Sequence, residues 1–308
     1  MIQVENLQKS YGNLRAVDGI SFEVQEGELF GFLGPNGAGK TTTISMISGL
    51  LKPDAGSIRI GDIDVWHTPK AAKRMVGLVP QDVSLYEELT GWENLQFWGS
   101  LYDLPRAELK ANIEEWLERV GLSDRARDPV AKYSGGMKRR LNLAVGLVHK
   151  PKVVLLDEPT VGIDPQARNN IMEIIREIAR SGVTILFTTH HLEEAESLCQ
   201  RIAIMDHGKI LVTGSVNELA KGVGDGDIVT VRGPFTSAQF KTVFTNDSIH
   251  FLSLADGEAV ISTPAVGSGL ALITQRLSGA GIEITNLSIQ KPTLESVFLK
   301  LTGRELRD

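Results

Sequence analysis

The sequence predicts an α/β fold: a largely parallel core sheet, an inserted helical subdomain, and a small α+β domain at the carboxyl end. Three observations predict it. Short runs such as Leu29–Leu33 (LFGFL), Val153–Leu156 (VVLL) and Val183–Phe187 (VTILF) are apolar throughout, the pattern of strands covered on both faces. Helical stretches lie between those runs, and strand alternating with helix builds a parallel sheet. Near 221–227 the chain changes to KGVGDGD, a glycine-rich linker signal, and shorter alternating segments follow it.

In chain order, LFGFL runs into the glycine-rich GPNGAGKT and then into TTISMISGLL, which reads as a helix. Residues 106–120 carry Ile113, Trp116, Leu117 and Val120 on one face and charges on the other. The stretch 92–148 is mostly helical in pattern, so a helical subdomain over 85–150 is expected to project from the sheet. Beyond VVLL, residues 165–179 set Ala167, Ile171, Ile174, Ile175 and Ile178 along one stripe, with Asp164 placed to cap that helix and Pro165 in its first turn. The first domain is thus expected over 1–220 and the second over 228–308. In the second, strands are expected at Ile228–Val231, Ile249–Leu254, Ala259–Ser262 and Ile282–Leu287, and helices near 236–244, 268–279 and 293–302. That domain carries no phosphate loop, metal-ligand cluster or catalytic pair.

Composition narrows the class. The chain has 308 residues and a net charge of −6, which argues against a whole-surface nucleic-acid binder. Its single Cys199 excludes an intrachain disulfide framework. The start, MIQVENLQKSYG, lacks the basic and apolar regions of a signal peptide. No apolar run approaches the roughly 18 residues that span a bilayer, so any membrane role is expected to come through a partner.

Three motifs carry chemistry. Gly34–Thr41, spelled out as Gly34, Pro35, Asn36, Gly37, Ala38, Gly39, Lys40 and Thr41, fits G-x-x-x-x-G-K-[ST] between a strand and a helix. Its glycines let successive backbone N–H groups curl into an anion nest, and the helix that follows, with Thr42 in its first turn, adds its positive end. Lys40 can reach the β- and γ-phosphates of a nucleoside triphosphate, and the Thr41 hydroxyl can join a Mg²⁺ shell. VVLLDEP places Asp157 at the carboxyl end of a buried strand, where it would hold Mg²⁺ through water, while Glu158 can polarise an attacking water. YSGGM puts Ser134 as the cap of a helix that opens with Gly135 and Gly136, and Lys138, Arg139 and Arg140 are expected to add positive charge to that end.

The order of phosphate loop, Gln81 in LVPQD, the SGG helix, LLDEP, VGIDP and TTHH resembles that of ABC-transporter ATP-binding subunits, over about residues 1–218. The resemblance implies a phosphate-loop ATPase cassette with ATP and Mg²⁺ as its cofactors. It makes Tyr11 of KSYG the ring that stacks on adenine, Gln81 the sensor that contacts Mg²⁺ or water, and Glu158 the catalytic carboxylate. His190 becomes the switch histidine at the γ-phosphate, and Asp164 falls in the loop that meets a second subunit. Ser134, Gly135 and Gly136 would serve that second subunit's ATP, so two ATP molecules would sit in a head-to-tail pair. A separate integral membrane permease is the implied partner, and Leu85, Tyr86 and Leu89 either line its docking groove or belong to the helical subdomain's core.

Two features depart from the commonest family signature: Tyr133 and Met137 flank the SGG, and the histidine is doubled as His190–His191. YSGGMKRRL together with the tail KPTLESVFLKLTGRELR resembles the exporter ATPases of the daunorubicin-resistance kind, which implies export and a peripheral place on the cytoplasmic face of the membrane. The competing reading is a soluble ABC ATPase acting on DNA or the ribosome. The span from Lys40 to Ser134 leaves no room for the long coiled coil of chromosome-type members, and only one cassette is visible where ribosome-associated members carry two.

Overall fold

The chain opens on alternating rather than continuous burial. Strand β1 (Ile2–Tyr11) buries Ile2, Val4 and Leu7 while Gln3 and Glu5 face solvent, and β2 (Leu14–Val24) returns antiparallel to it with Ile20, Phe22 and Val24 inward. Two-period burial of this kind belongs to a sheet with one wet face. With β4 (Ala55–Ile60) and β5 (Ile63–Asp64) these strands form an antiparallel sheet of order β2-β1-β4-β5, a layer beyond the largely parallel sheet expected. The computed structural model describes residues 1–222, 227–244, 250–263, 266–291 and 293–302. Contacts divide it into two units, Met1–Val212 and Thr213–Asp308.

The second sheet of the first unit has the order β10-β9-β3-β8-β7-β6. Its centre is β3 (Leu29–Leu33), every residue of which is buried. After α1 (Lys40–Ile47) and α2 (Pro69–Met75) comes β6 (Val76–Val79), followed by the helical subdomain of α3 (Gly91–Ser100), α4 (Arg106–Arg119) and α5 (Gly135–Leu147). The chain then re-enters the sheet with β7 (Val153–Asp157) and continues through α6 (Pro165–Arg180), β8 (Thr184–Thr189), α7 (Leu192–Leu198), β9 (Arg201–Asp206) and β10 (Lys209–Ser215). Strands β9, β3, β8, β7 and β6 all run parallel. The β9–β10 turn is His207-Gly208, both at positive φ, the backbone a two-residue hairpin requires. Helix α1 lies in the common core of the two sheets, where Ile44, Met46 and Ile47 pack with Phe22, Phe30, Phe32 and Leu186.

Register decides what stands together. Asp157 of β7 pairs with Thr188 of β8, and Thr189 of β8 pairs with Leu33 of β3. The three chain exits that lead to the phosphate loop, to Glu158 and to His190 are therefore neighbours on one sheet edge. This is the carboxyl edge, where open parallel sheets hold ligands.

In the second unit, α8 (Val216–Gly222) packs against the last helix; a boundary at 220 would have left α8 with the first unit. Strand β11 (Asp227–Arg232), α9 (Ser237–Val243), β12 (His250–Ala255), β13 (Glu258–Thr263), α10 (Val266–Gly279), β14 (Asn286–Gln290) and α11 (Leu294–Thr302) follow, with an antiparallel sheet of order β12-β13-β11-β14. Thr236 caps α9 through a reciprocal bond with Gln239. The expected strand Ile282–Leu287 begins only at Asn286. Gly281 sits at φ +70° and Ile282 N–H donates to Leu277 O at 2.9 Å, so Ile282 closes the end of α10 as a helix stop rather than opening a strand. Within the expected linker, 223–226 lie outside the described residues, as do Ile249 and the tail beyond Thr302.

Candidate active site

The loop after β3 needs glycine at two places. A Cβ on Gly34 would collide with the Met205 carbonyl, and one on Gly39, at φ +107°, with the Ala16 carbonyl. Gly39 caps α1, and Thr43 N–H closes back onto Gly39 O at 3.0 Å. By helix geometry the first-turn amides of Lys40, Thr41 and Thr42 have no intrahelical acceptor. With Asn36 and Gly37 exposed, Pro35 half-buried and Ala38 buried, the loop presents backbone donors beside the positive end of the helix.

Lys40 is buried within that loop, 4 % exposed. Its ammonium donates to Gly34 O at 2.6 Å and Pro35 O at 3.1 Å, and lies 3.0 Å from Glu158 Oε1. Glu158 follows β7 directly in the left-handed region, φ 46°. That conformation is rare for a residue with a Cβ, and two bonds hold it: its N–H donates to Thr188 Oγ1 at 3.0 Å and to Thr188 O at 3.2 Å. The kink aims the carboxylate at Lys40 on one side and at His190 on the other, where His190 Nδ1 stands 3.1 Å from Oε2. A carboxylate only accepts, so the ring proton is on Nδ1.

Beside them, Asp157 Oδ1 accepts from Thr188 Oγ1 at 2.7 Å, with the Thr41 side chain alongside. Burial pushes the Asp157 pKa up, the Glu158 charge adds to that, and the hydroxyls of Thr188 and Thr41 oppose it. An ionised carboxylate in such a place calls for a cation. Hard oxygen donors, one carboxylate and one hydroxyl, suit Mg²⁺, which takes few protein ligands and completes its shell with water and phosphate. No three His, Cys, Asp or Glu side chains converge as a metal cluster among the described residues.

Other sequence-marked residues stand apart from this centre. Tyr11 ends β1, half exposed. Ser134 caps α5, accepting from Met137 N–H at 3.3 Å, and is exposed with Gly135; a Cβ on Gly136 would meet the Ala167 Cβ at 2.9 Å. Gly136 thereby lets the first turns of α5 and α6 abut. The latter is capped by exposed Asp164, which accepts from Ala167 N–H at 2.9 Å. Two capped helix N-termini side by side form an exposed positive edge. The basic trio behaves otherwise than expected, because each side chain is turned back onto the protein. Lys138 pairs with Glu87, Arg140 donates to Val120 O at 2.5 Å, and Arg139 donates to the carbonyls of Gln81 and Val161.

Sequence reasoning passed over Thr188, Thr189, Thr160 and Glu194. Glu194, 4 % exposed, accepts from Thr160 Oγ1 at 3.0 Å and from Thr189 Oγ1 at 2.8 Å, and Thr189 Oγ1 takes the His191 N–H at 2.9 Å. The adjacent threonines of TTHH were the available signal. The rings of His190 and His191 lie 4.2 Å apart, but His190 is the one that faces Glu158.

A separate cavity of about 750 Å³ lies between the core sheet and the helical subdomain, lined by Ser84, Trp98, Leu101 and Tyr102 with Lys70 and Lys73 at its side. Leu85, Tyr86 and Leu89 are not among its lining residues, and the Tyr86 ring packs edge-on against Phe97, 4.9 Å between centroids. No helix among the described residues is long and apolar enough to cross a membrane.

Comparison with known proteins bears on all of these features. A family model described as ABC transporter matches residues 17–161. The chain is 45% identical to the linearmycin resistance ATP-binding protein LnrL of Bacillus subtilis, covering all of both chains. It is 38% identical to the daunorubicin resistance ATP-binding protein DrrA3 of Streptomyces coeruleorubidus, over 99% of this chain and 97% of that one. A solved ATP-binding subunit of an ABC transporter superposes with a TM-score of 0.66 at 31% identity, covering 72% of this chain and 92% of the other. The cassette MJ0796, solved as a post-hydrolysis dimer bound to ADP and Pi, superposes with a TM-score of 0.64 at 26% identity, covering 70% and 98%.

Proposed function

The chain belongs to the ABC transporter family as an ATP-binding and ATP-hydrolysing subunit of exporter type, and from that premise we propose how its residues divide the work. The observation that carries the reading is the line from buried Lys40 through buried Glu158 to half-buried His190 at the carboxyl ends of three adjacent strands. The loop amides of Gly34–Thr42 and the Lys40 ammonium bind the nucleotide phosphates, and Tyr11 stacks on the base. Thr41 and Asp157, with Gln81, would hold Mg²⁺, which when bound neutralises phosphate charge. Glu158 takes up proton density from the attacking water while His190, steadied through Nδ1, meets the γ-phosphate.

Exposed Ser134, Gly135 and Asp164, with half-buried Gly136, complete the nucleotide site of a second copy of this chain. An interface in which each copy completes the other's site is closed by a two-fold axis. The closed pair would form with ATP and open after hydrolysis. The cavity beside Gln81's segment, apolar with lysines at its side, suits a short helix of an integral membrane permease, and the chain would sit peripherally on the cytoplasmic face of the membrane through that partner. The carboxyl-terminal unit serves regulation or pairing. Nucleic acid is no partner in this reading, and the ribosome or DNA alternative is not favoured by relatives that carry drug-resistance and export names.

The test is phosphate release by the purified chain with ATP and Mg²⁺, followed by reconstitution with the permease that co-purifies from membranes. ATP-dependent turnover that rises with the permease supports the reading. A chain that releases no phosphate alone or with the permease overturns it.

A further inference from the structure

The residues that bind and hydrolyse ATP do not include Arg139, and its sequence context marked it only as charge at a helix end. Its actual partners are two backbone carbonyls on separate segments. Nη1 donates to Gln81 O and Nη2 to Val161 O at 3.0 Å. One turn further along the same face of α5, buried Asn142 accepts from Ser84 N–H at 3.1 Å and donates to Pro80 O at 3.4 Å. Helix α5 therefore grips the 80–84 segment on both sides of Gln81, and through Arg139 it also reaches the loop between Glu158 and Asp164.

That loop has a second anchor immediately alongside. Thr160, fully buried, donates to Glu194 Oε2, which also holds Thr189, the residue before His190. The loop is thus held at two consecutive residues: Thr160 by an acid tied to the histidine strand, and Val161 by a guanidinium tied to Gln81. Burial draws the Arg139 pKa down, with Asp82 opposing, but guanidinium keeps its charge at any pH of interest. Its planar fork reaches carbonyls on two separate segments through two different nitrogens, Nη1 and Nη2, whereas a lysine would bring a single nitrogen on a shorter, flexible stem.

We propose that Arg139 is a positioning residue that locks the Gln81 segment to the Glu158–Asp164 loop, with Glu194 as the opposing anchor, so that a shift of Gln81 moves the hydrolytic glutamate. This rests on the roles given above to Gln81 and Glu158. Contiguity by itself does not establish coupling, so the test measures it. Wild type, R139Q, R139K, E194Q and the R139Q/E194Q double variant are compared for kcat and KM of ATP hydrolysis, for affinity toward a non-hydrolysable ATP analogue, and for Tm.

The expected result is a kcat loss of about tenfold in R139Q, the scale of measured couplings along such networks. Analogue affinity should stay within about twofold of wild type, because the phosphate loop is untouched. R139K should recover only part of kcat. The double variant should fall no further than the worse single, since either loss frees the same loop. Wild-type kcat in R139Q, full recovery in R139K, or single losses that multiply in the double variant would each overturn the proposal. If R139Q does not fold, R139K against wild type carries the comparison, with full activity the overturning result. Absence of turnover in wild type would instead count against the functional reading beneath it.

Discussion

Replacing Glu158 by Gln separates binding from chemistry, and the structure supplies the magnitudes. The wild-type carboxylate is 4 % exposed, 3.0 Å from the Lys40 ammonium and 3.1 Å from His190 Nδ1. Glutamine keeps the volume and one acceptor oxygen, which can still face Lys40. Its amide then faces His190, whose ring must move its proton to the other nitrogen so that Nδ1 accepts. Removing one partner of a buried pair costs about 3–5 kcal/mol when the other charge is stranded. Lys40 is not stranded, because it keeps the Gly34 and Pro35 carbonyls at 2.6 and 3.1 Å. The cost is therefore that of one weakened charged hydrogen bond, about 1–3 kcal/mol, and the variant folds. Turnover loses its general base, worth about 10²–10⁴-fold, or roughly 3–5 kcal/mol of barrier. Phosphate release measures the chemistry, calorimetry with ATP measures binding, and gel filtration with ATP and Mg²⁺ measures pairing. The expected outcome is intact binding, turnover down at least about a hundredfold, and a persistent dimer. Turnover near wild type with monomer alone would refute the assignment of Glu158.

Lys40→Ala should weaken ATP binding itself by about 10–100-fold, the value of a charge-assisted contact, and unchanged affinity in calorimetry would count against the phosphate-loop assignment. Asp157→Asn should raise the Tm at neutral pH while abolishing turnover. An acid whose folded pKa is raised costs stability wherever it is ionised and stops costing only as pH falls below its unfolded value; a Tm that drops instead would show the buried charge to be compensated within the chain. His149 gives a pH test remote from the active centre. It is buried against Tyr102, ring centroids 3.6 Å apart, and burial pushes its pKa down to about 4. Unfolded histidine takes a proton that the folded state refuses, so stability should fall by about 3 kcal/mol as pH drops from about 6.5 to about 4. His149→Phe keeps the stacking and should flatten that stretch of the denaturation-versus-pH curve; parallel curves for the two proteins would refute the cause.

How much of this was legible depends on whether a residue's role is local or is made by register. LFGFL and VVLL declare themselves because a strand buried on both faces reads as a near-continuous apolar run, and GPNGAGKT because a helix start that nests an anion needs glycine and lysine at fixed offsets. Glu158 and His190 were found through chain order, yet what holds Glu158 in place to face His190 is Thr188, a hydroxyl inside an apolar strand whose meaning arises only when β7 and β8 align Asp157 opposite it. Glu194 is the same case: in LEEAESL it reads as a solvated helix face, and only the approach of Thr160 and Thr189 buries it. The basic trio Lys138–Arg140 was read from its position at a helix end, where cations are costly, and the fold resolves that cost by directing all three side chains back onto carbonyls and a carboxylate. Gly136 sharpens the point. A glycine after a capping serine invites explanation by bare backbone, whereas its lack of a side chain serves the approach of α6, at a distance no local pattern encodes. Side chains whose partners lie along their own element could be placed from the text of the chain; those that join two elements were visible only once the elements were packed.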